Sequence, residues 1–83
     1  MDMTVSRTDV EAVAGGPVAA LVVGIDGDET AVYLIRKDGT RVMAGAVGVR
    51  IECAANAHRT HPTCNDLLSM RPVDLDAILS AIQ

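Results

Sequence analysis

The chain has almost no aromatic side chains. Among its 83 residues there is no Phe and no Trp, and Tyr33 is the only Tyr. A buried aromatic ring removes ~150–250 Å² from water, and the Val and Ala residues that dominate here remove less each. Small domains with such cores often depend on a partner chain, a metal or a cross-link. The composition therefore favours a domain that has one of these three supports.

Basic charge is also scarce. Seven Lys and Arg residues stand against eleven Asp and Glu residues, which gives a formal net charge of −4. Nucleic-acid binding needs Lys and Arg to replace the counterions of the phosphates, and aromatic side chains often provide a surface for the bases. Only Arg36, Lys37 and Arg41 cluster, and they flank a predicted turn. We therefore expect no nucleic-acid partner.

No uninterrupted apolar run is long enough to span a bilayer. Residues 12–25 are the most apolar stretch, but two glycines and a proline interrupt it at residues 15–17. Asp2, Asp9 and Glu11 precede this stretch, where a signal peptide needs net positive charge. We therefore expect a cytoplasmic protein with no membrane partner, in which both cysteines are reduced by default.

The length allows one hydrophobic core, so we expect a single small domain over residues 1–83. Residues 1–7 are predicted to be a flexible tail. Thr8 and Glu11 have the spacing of a capping box, which predicts the start of a helix. The glycines and proline at residues 15–17 then end this helix.

Three strands are predicted after this helix. Residues 18–25 are continuously apolar, which is typical of a strand buried on both faces. Residues 31–36 follow an acidic turn, and residues 41–52 follow Asp38 and Gly39, a strong hairpin signal. The three strands are therefore expected to pair as an antiparallel β-meander.

Two helices are predicted at the end of the chain. Residues 65–70 form the first, and Asp74 is a good N-cap for the second. The second helix carries one apolar stripe, which consists of Leu75, Ile78, Leu79 and Ile82. The predicted fold is α+β, a three-stranded antiparallel β-meander with a short N-terminal helix and two C-terminal helices in the order α-β-β-β-α-α.

The predicted sheet has more apolar surface than the helices can cover. Alternate residues of the first strand point to opposite faces, and both sets are apolar. The helices can cover one face, so something else must cover the other face or the open edge. Pairing with a second copy meets this need most simply. We therefore expect a homodimer.

The most specific cluster in the sequence is formed by Cys53, His58, His61 and Cys64. These are all the cysteines and histidines of the chain. Two thiols and two imidazoles can supply the four ligands of a tetrahedral zinc ion. Helical spacing aims the last three at one point, with Cys53 arriving from the end of a strand. The candidate metal site is therefore Cys53, His58, His61 and Cys64, with zinc as the possible cofactor.

Three other interpretations of this cluster stay open, since its spacing differs from the common zinc-finger patterns. Cys53 can be a small apolar residue at a strand end, with both histidines exposed on a loop. Cys53 and Cys64 can form a disulfide, which stabilises by ~3 kcal/mol for a loop of this length. A thiol and an imidazole can also form a nucleophilic or redox pair, although no orienting group is identifiable.

The sequence contains no catalytic constellation and no cofactor fingerprint, so we expect no enzyme. The first hypothesis is a small regulatory or accessory domain that acts through protein–protein interaction, with a partner of unknown identity and with itself. The second is a zinc-stabilised binding domain that uses the loop of Cys53, His58, His61 and Cys64. The third is a protein that sequesters a small ligand or nucleotide between two subunits.

Overall fold

The computed structural model describes residues 5–83, which form four helices and one four-stranded sheet. In chain order the elements are α1 (Arg7–Ala14), β1 (Val18–Asp26), β2 (Glu29–Arg36), β3 (Arg41–Met43), α2 (Gly45–Ala57), α3 (Pro62–Leu68), β4 (Val73–Asp74) and α4 (Leu75–Ala81). The predicted α+β class and the antiparallel meander of β1, β2 and β3 are confirmed. The structure adds two elements to the predicted order, the helix α2 and the short strand β4.

The sheet has the strand order β3-β2-β1-β4, and every neighbouring pair is antiparallel. β1 and β2 pair along their whole length from the Asp26–Glu29 pair that closes their turn. Gly27 occupies this turn with a φ of 63°, a conformation that favours glycine. β4 pairs with β1 at Ala20 and Leu21. β1 is therefore an interior strand, as its continuous apolar sequence indicates.

The hydrophobic core lies between the helices and one face of the sheet. α2 contacts β2, while α3 and α4 contact β1. The sheet residues of this core are Val18, Leu21, Val23, Val32, Leu34 and Val73. The helices contribute most of the rest, and the largest fully buried side chains among them are Ile51, Leu67, Leu75 and Ile78. We call this side of the sheet the inner face.

The predicted third strand over residues 41–52 is wrong beyond Met43. The chain leaves the sheet there, and Gly45 turns it into α2 with a φ of 58°. Gly48 then lies against the sheet, since an added Cβ atom would be 2.9 Å from the Cβ of Val32 and 2.7 Å from that of Ala44. The two glycines thus mark a bend and a close approach at the start of a helix.

The N-terminal helix begins earlier than the predicted capping box of Thr8 and Glu11. Ser6 is the N-cap: its Oγ accepts from the backbone N–H of Asp9, and the Asp9 carboxylate accepts from the N–H of Ser6. Glu11 instead accepts from the backbone N–H of Val18 at 2.8 Å. The side chain of Glu11 therefore ties α1 to the start of β1.

Both ends of the described chain take part in the fold. Val5 is buried in the core, and Gln83 donates to its carbonyl oxygen. The predicted tail at residues 1–7 thus includes ordered residues, and residues 1–4 lie outside the described part. Asp74 caps α4 by accepting from the N–H of Ala77, as predicted. Within residues 5–83, no helix is long and apolar enough to cross a membrane.

The close approach of α2 to β2 generates a first prediction. Gly48→Ala should lower the free energy of unfolding by about 1–2 kcal/mol, because overpacking costs ~1–3 kcal/mol and the gain in helix propensity returns only ~1 kcal/mol. The control is Gly16→Ala, whose added Cβ would meet only the Arg36 side chain at 3.8 Å. Urea denaturation compares the two variants, and equal stability would contradict a close contact at Gly48.

Candidate functional site

The sheet face opposite the helices is apolar across its centre. Its residues alternate with those of the inner face along each strand and are matched by the strand register. They are Ala20, Val22, Gly24, Ala31, Tyr33, Ile35 and Met43. We call this surface the outer face. Val22 is buried but lies outside the core cluster, which places it on this face.

The ring of Tyr33 covers part of the outer face. Tyr33 pairs with Val22 across β1 and β2, and a Cβ atom added to Gly24 would lie 3.0 Å from its Cε2 atom. The ring therefore lies diagonally over Gly24, as cross-strand aromatic residues do over glycines. The only aromatic ring of the protein thus covers the outer face and contributes nothing to the core between sheet and helices.

Charged residues stand at both edges of the outer face. One row across the four strands consists of Arg41, Ile35, Ala20 and Asp74, in that spatial order. Arg41 and Asp74 are both exposed. The outer face therefore has an apolar centre with a positive charge at the β3 edge and a negative charge at the β4 edge of the same row.

A second surface feature is a cleft of about 250 Å³ between β2 and α2. We call it the edge cleft. It is lined by Thr30, Ala31, Val32, Met43, Gly45, Val49, Glu52 and Cys53. Met43 and Val49 are 51% and 63% exposed, so two of its apolar side chains are open to solvent. The edge cleft is therefore an apolar depression that is open to solvent.

The four candidate metal ligands lie on different parts of the helical layer. Cys53 is exposed on α2 and lines the edge cleft, whereas Cys64 is fully buried on α3. His58 follows the end of α2, and His61 caps α3 by accepting from the N–H of Thr63 at its Nδ1 atom. The break between the two helices thus interrupts the helical spacing on which the zinc hypothesis depends.

The geometry brings His58 and His61 to one turn but does not gather all four ligands. The His61 backbone N–H donates to the carbonyl oxygen of His58 at 2.8 Å. Both cysteines are free thiols, and burial raises the pKa of the Cys64 thiol, which disfavours the thiolate that metals bind. Within residues 5–83, no three His, Cys, Asp or Glu side chains are placed to hold a metal ion. Zinc binding stays a prediction.

The basic cluster near residue 36 has a structural role. Arg36 donates through Nη1 to the carbonyl oxygen of Ala14 at the C-terminal end of α1, where the helix dipole favours a cation. Its Nε atom is buried and lies 3.9 Å from the Asp38 carboxylate. A second cleft of about 280 Å³ lies beside this contact. We assign Arg36 to holding α1 against the β2 end of the sheet.

No protein family, curated protein or solved structure matches this chain. Its function is therefore argued from its own surfaces.

The different positions of the two thiols generate a second prediction. Ellman's reagent should modify Cys53 rapidly and Cys64 only as fast as the protein unfolds, because Cys64 is fully buried. Cys53→Ser should remove the fast phase, and Cys64→Ser should remove the slow one. Equal rates for both thiols would contradict this placement. The zinc hypothesis predicts that one equivalent of Zn²⁺ protects both thiols and raises stability, and an unchanged fast phase would count against it.

The raised pKa of Cys64 generates a third prediction. The folded state holds the thiol proton more tightly than the unfolded state, so this contribution to stability is complete below the ordinary thiol pKa of ~8.5. It is lost as the pH rises from there through the folded pKa. Urea denaturation at neutral and alkaline pH should show a larger loss of stability for the natural protein than for Cys64→Ala. An equal loss would show that Cys64 is not shielded in the folded state.

Proposed function

We propose that the protein is a non-catalytic regulatory or accessory domain that acts through protein–protein interaction and self-associates through its outer face. The observation that carries this proposal is the unbroken apolar surface of that face, which includes the single aromatic residue of the chain. Antiparallel sheets with one face in solvent normally alternate apolar and polar residues along each strand. The absence of that alternation in β1 and in residues 31–35 of β2 favours a covered face.

Two outer faces can pack as the two layers of a β-sandwich. Sheets in this arrangement lie ~10 Å apart with their strands ~30° from parallel. The apolar surface extends from Tyr33 along β2 to Ile35 and across to Met43 on β3, and the Tyr33 ring packs on Gly24. The dimer would thus add a second buried apolar layer between the two sheets. This layer would supplement the core of a chain that is poor in aromatic residues.

Charge complementarity favours a second copy as the partner. In a face-to-face dimer whose two-fold axis runs along the strands, the β3 edge of each copy lies over the β4 edge of the other. Arg41 of each copy then approaches Asp74 of the other, and symmetry forms this pair twice. An axis across the strands would instead place like edges together. The row of Arg41, Ile35, Ala20 and Asp74 is therefore self-complementary in one orientation.

The first test replaces an apolar side chain at the centre of this surface. Ile35→Asp should raise the dimer dissociation constant by ~100-fold or more, because each dimer would bury two unpaired carboxylates at ~1–3 kcal/mol apiece. Val13→Asp makes a similar change at an exposed position on α1 and should leave the dimer intact. Sedimentation velocity over a range of protein concentrations measures both constants. A natural protein that stays monomeric at every concentration would refute the proposal.

The orientation of the dimer has its own test. Arg41→Glu should weaken the dimer by ~10-fold, since it brings two carboxylates together at each edge, and like charges across an interface are unfavourable. Adding Asp74→Asn should restore much of the affinity, because Asn removes the charge and still caps α4. Weakening by Arg41→Glu that the second substitution does not relieve would contradict the axis along the strands.

A further inference from the structure

The edge of β2 is only partly paired. β3 pairs with Tyr33, Leu34 and Ile35, and the chain then turns away into α2. On that side, residues 29–32 of β2 have no neighbouring strand within the described part of the chain. One backbone contact lies there, from the N–H of Ala44 to the carbonyl oxygen of Val32 at 2.9 Å. On this side, β2 therefore has a short unpaired edge beside the part that pairs with β3.

The direction of the backbone groups at this edge follows from the same contact. The Val32 carbonyl points toward the side of β3. In an antiparallel strand, the N–H and C=O of one residue point to the same side, and this side alternates from residue to residue. The N–H and C=O of Thr30 therefore point to the open edge, whereas Ala44 occupies the position opposite Val32. The Thr30 groups match the ladder of an added antiparallel strand.

The edge cleft lies beside these backbone groups. Thr30 and Val32 line it from the strand, and Val49 and Cys53 line it from α2, one helical turn apart. Its volume of about 250 Å³ is well above the ~10–15 Å³ that one water requires. A strand added along this edge would point every second side chain to the inner side of the sheet, where the edge cleft opens. The site thus combines a main-chain ladder with a pocket for one apolar side chain.

The charged residues that line the edge cleft and its adjacent hairpin turn are acidic. Glu52 is the only residue lining the edge cleft that carries a charge at neutral pH. The adjacent hairpin turn adds three exposed carboxylates, those of Asp26, Asp28 and Glu29. A peptide that reaches this edge is therefore favoured if Lys or Arg flanks its apolar residue.

The geometry points to a peptide-binding site at the junction of β2 and α2, where an extended basic peptide adds as a strand beside Thr30 and inserts one apolar side chain between Val49 and Cys53. Strand addition of this kind obtains affinity from main-chain hydrogen bonds and selectivity from the pocket. The site lies on the edge of the sheet and shares Ala31 and Met43 with the outer face. Val49 belongs to the edge cleft alone and Ile35 to the outer face alone, so variants at these two positions test the two proposals independently.

The test uses the labelled peptide Lys-Thr-Val-Leu-Val-Thr-Lys and the full chain. We expect a dissociation constant below ~1 mM, shifts of the Thr30 and Val32 amide signals in NMR, and slower hydrogen exchange at Thr30. Modification of Cys53 by Ellman's reagent should slow at saturating peptide. The same peptide with its edge-facing backbone nitrogens methylated should bind at least ~10-fold more weakly, since it cannot form the ladder.

Two protein variants complete the test. Val49→Asp should weaken peptide binding by ~10-fold or more, because an apolar peptide side chain that enters the edge cleft would remove the new carboxylate from water. Val13→Asp and Ile35→Asp should bind the peptide within about twofold of the natural protein. No binding up to ~1 mM would overturn the inference. So would binding that methylation leaves unchanged, or shifts confined to the outer face. Loss of the dimer in Val49→Asp would show instead that a second copy occupies this edge.

Discussion

The contact between Gly48 and Val32 fixes the arrangement of the other elements. Because residue 48 has no side chain, the first turn of α2 lies directly on β2. A helix in this position covers the inner face and draws the chain off the sheet after Met43, which leaves β3 with three residues. The short β3 opens part of the β2 edge, and the flank of α2 forms the second wall of the edge cleft. The absence of a side chain at residue 48 therefore permits the close packing next to which both the covered face and the exposed edge lie.

The close packing also explains how a chain without large aromatic residues holds together. Its core side chains are mostly Val, Leu, Ile and Ala, and each gains less from burial than an aromatic ring would. Close contacts that involve the backbone, such as that of Gly48 with β2, compensate for this smaller gain because they bring helix and sheet nearer to each other. Polar links add to this at the start of the chain, where Arg7 contacts Asp76 and Glu11. Those contacts are partly exposed, so they orient α1 more than they stabilise it.

The sequence predicted the elements whose signals are local. It predicted less well the boundaries that tertiary contacts determine. The apolar run of β1, the turns after β1 and β2, and the Asp74 cap were all predictable, since turn residues and caps act over a few positions. The boundary between β3 and α2 was not, because Val42, Val47 and Val49 favour a strand by propensity and packing overrides it. The helical spacing of Val47, Ile51 and Ala55 was the sequence signal for α2 that the strand prediction missed.

The edge cleft depends on the boundary between β3 and α2, so it could not be predicted. The second apolar face of the sheet could be predicted. The Cys and His cluster spans a helix break at residues 58–61, which its helical spacing did not predict, and zinc binding there stays a prediction.

The position of Tyr33 has a consequence for how this protein can be observed. As the only aromatic residue, it is the single source of near-ultraviolet absorption and emission apart from weak contributions of the peptide backbone. Its ring lies over Gly24 on the outer face, away from the residues that α2, α3 and α4 enclose. Tyrosine emission and near-ultraviolet dichroism therefore monitor the environment of one surface of the sheet. Loosening of the helical layer would be nearly invisible to these signals, whereas a change in what covers the outer face would dominate them.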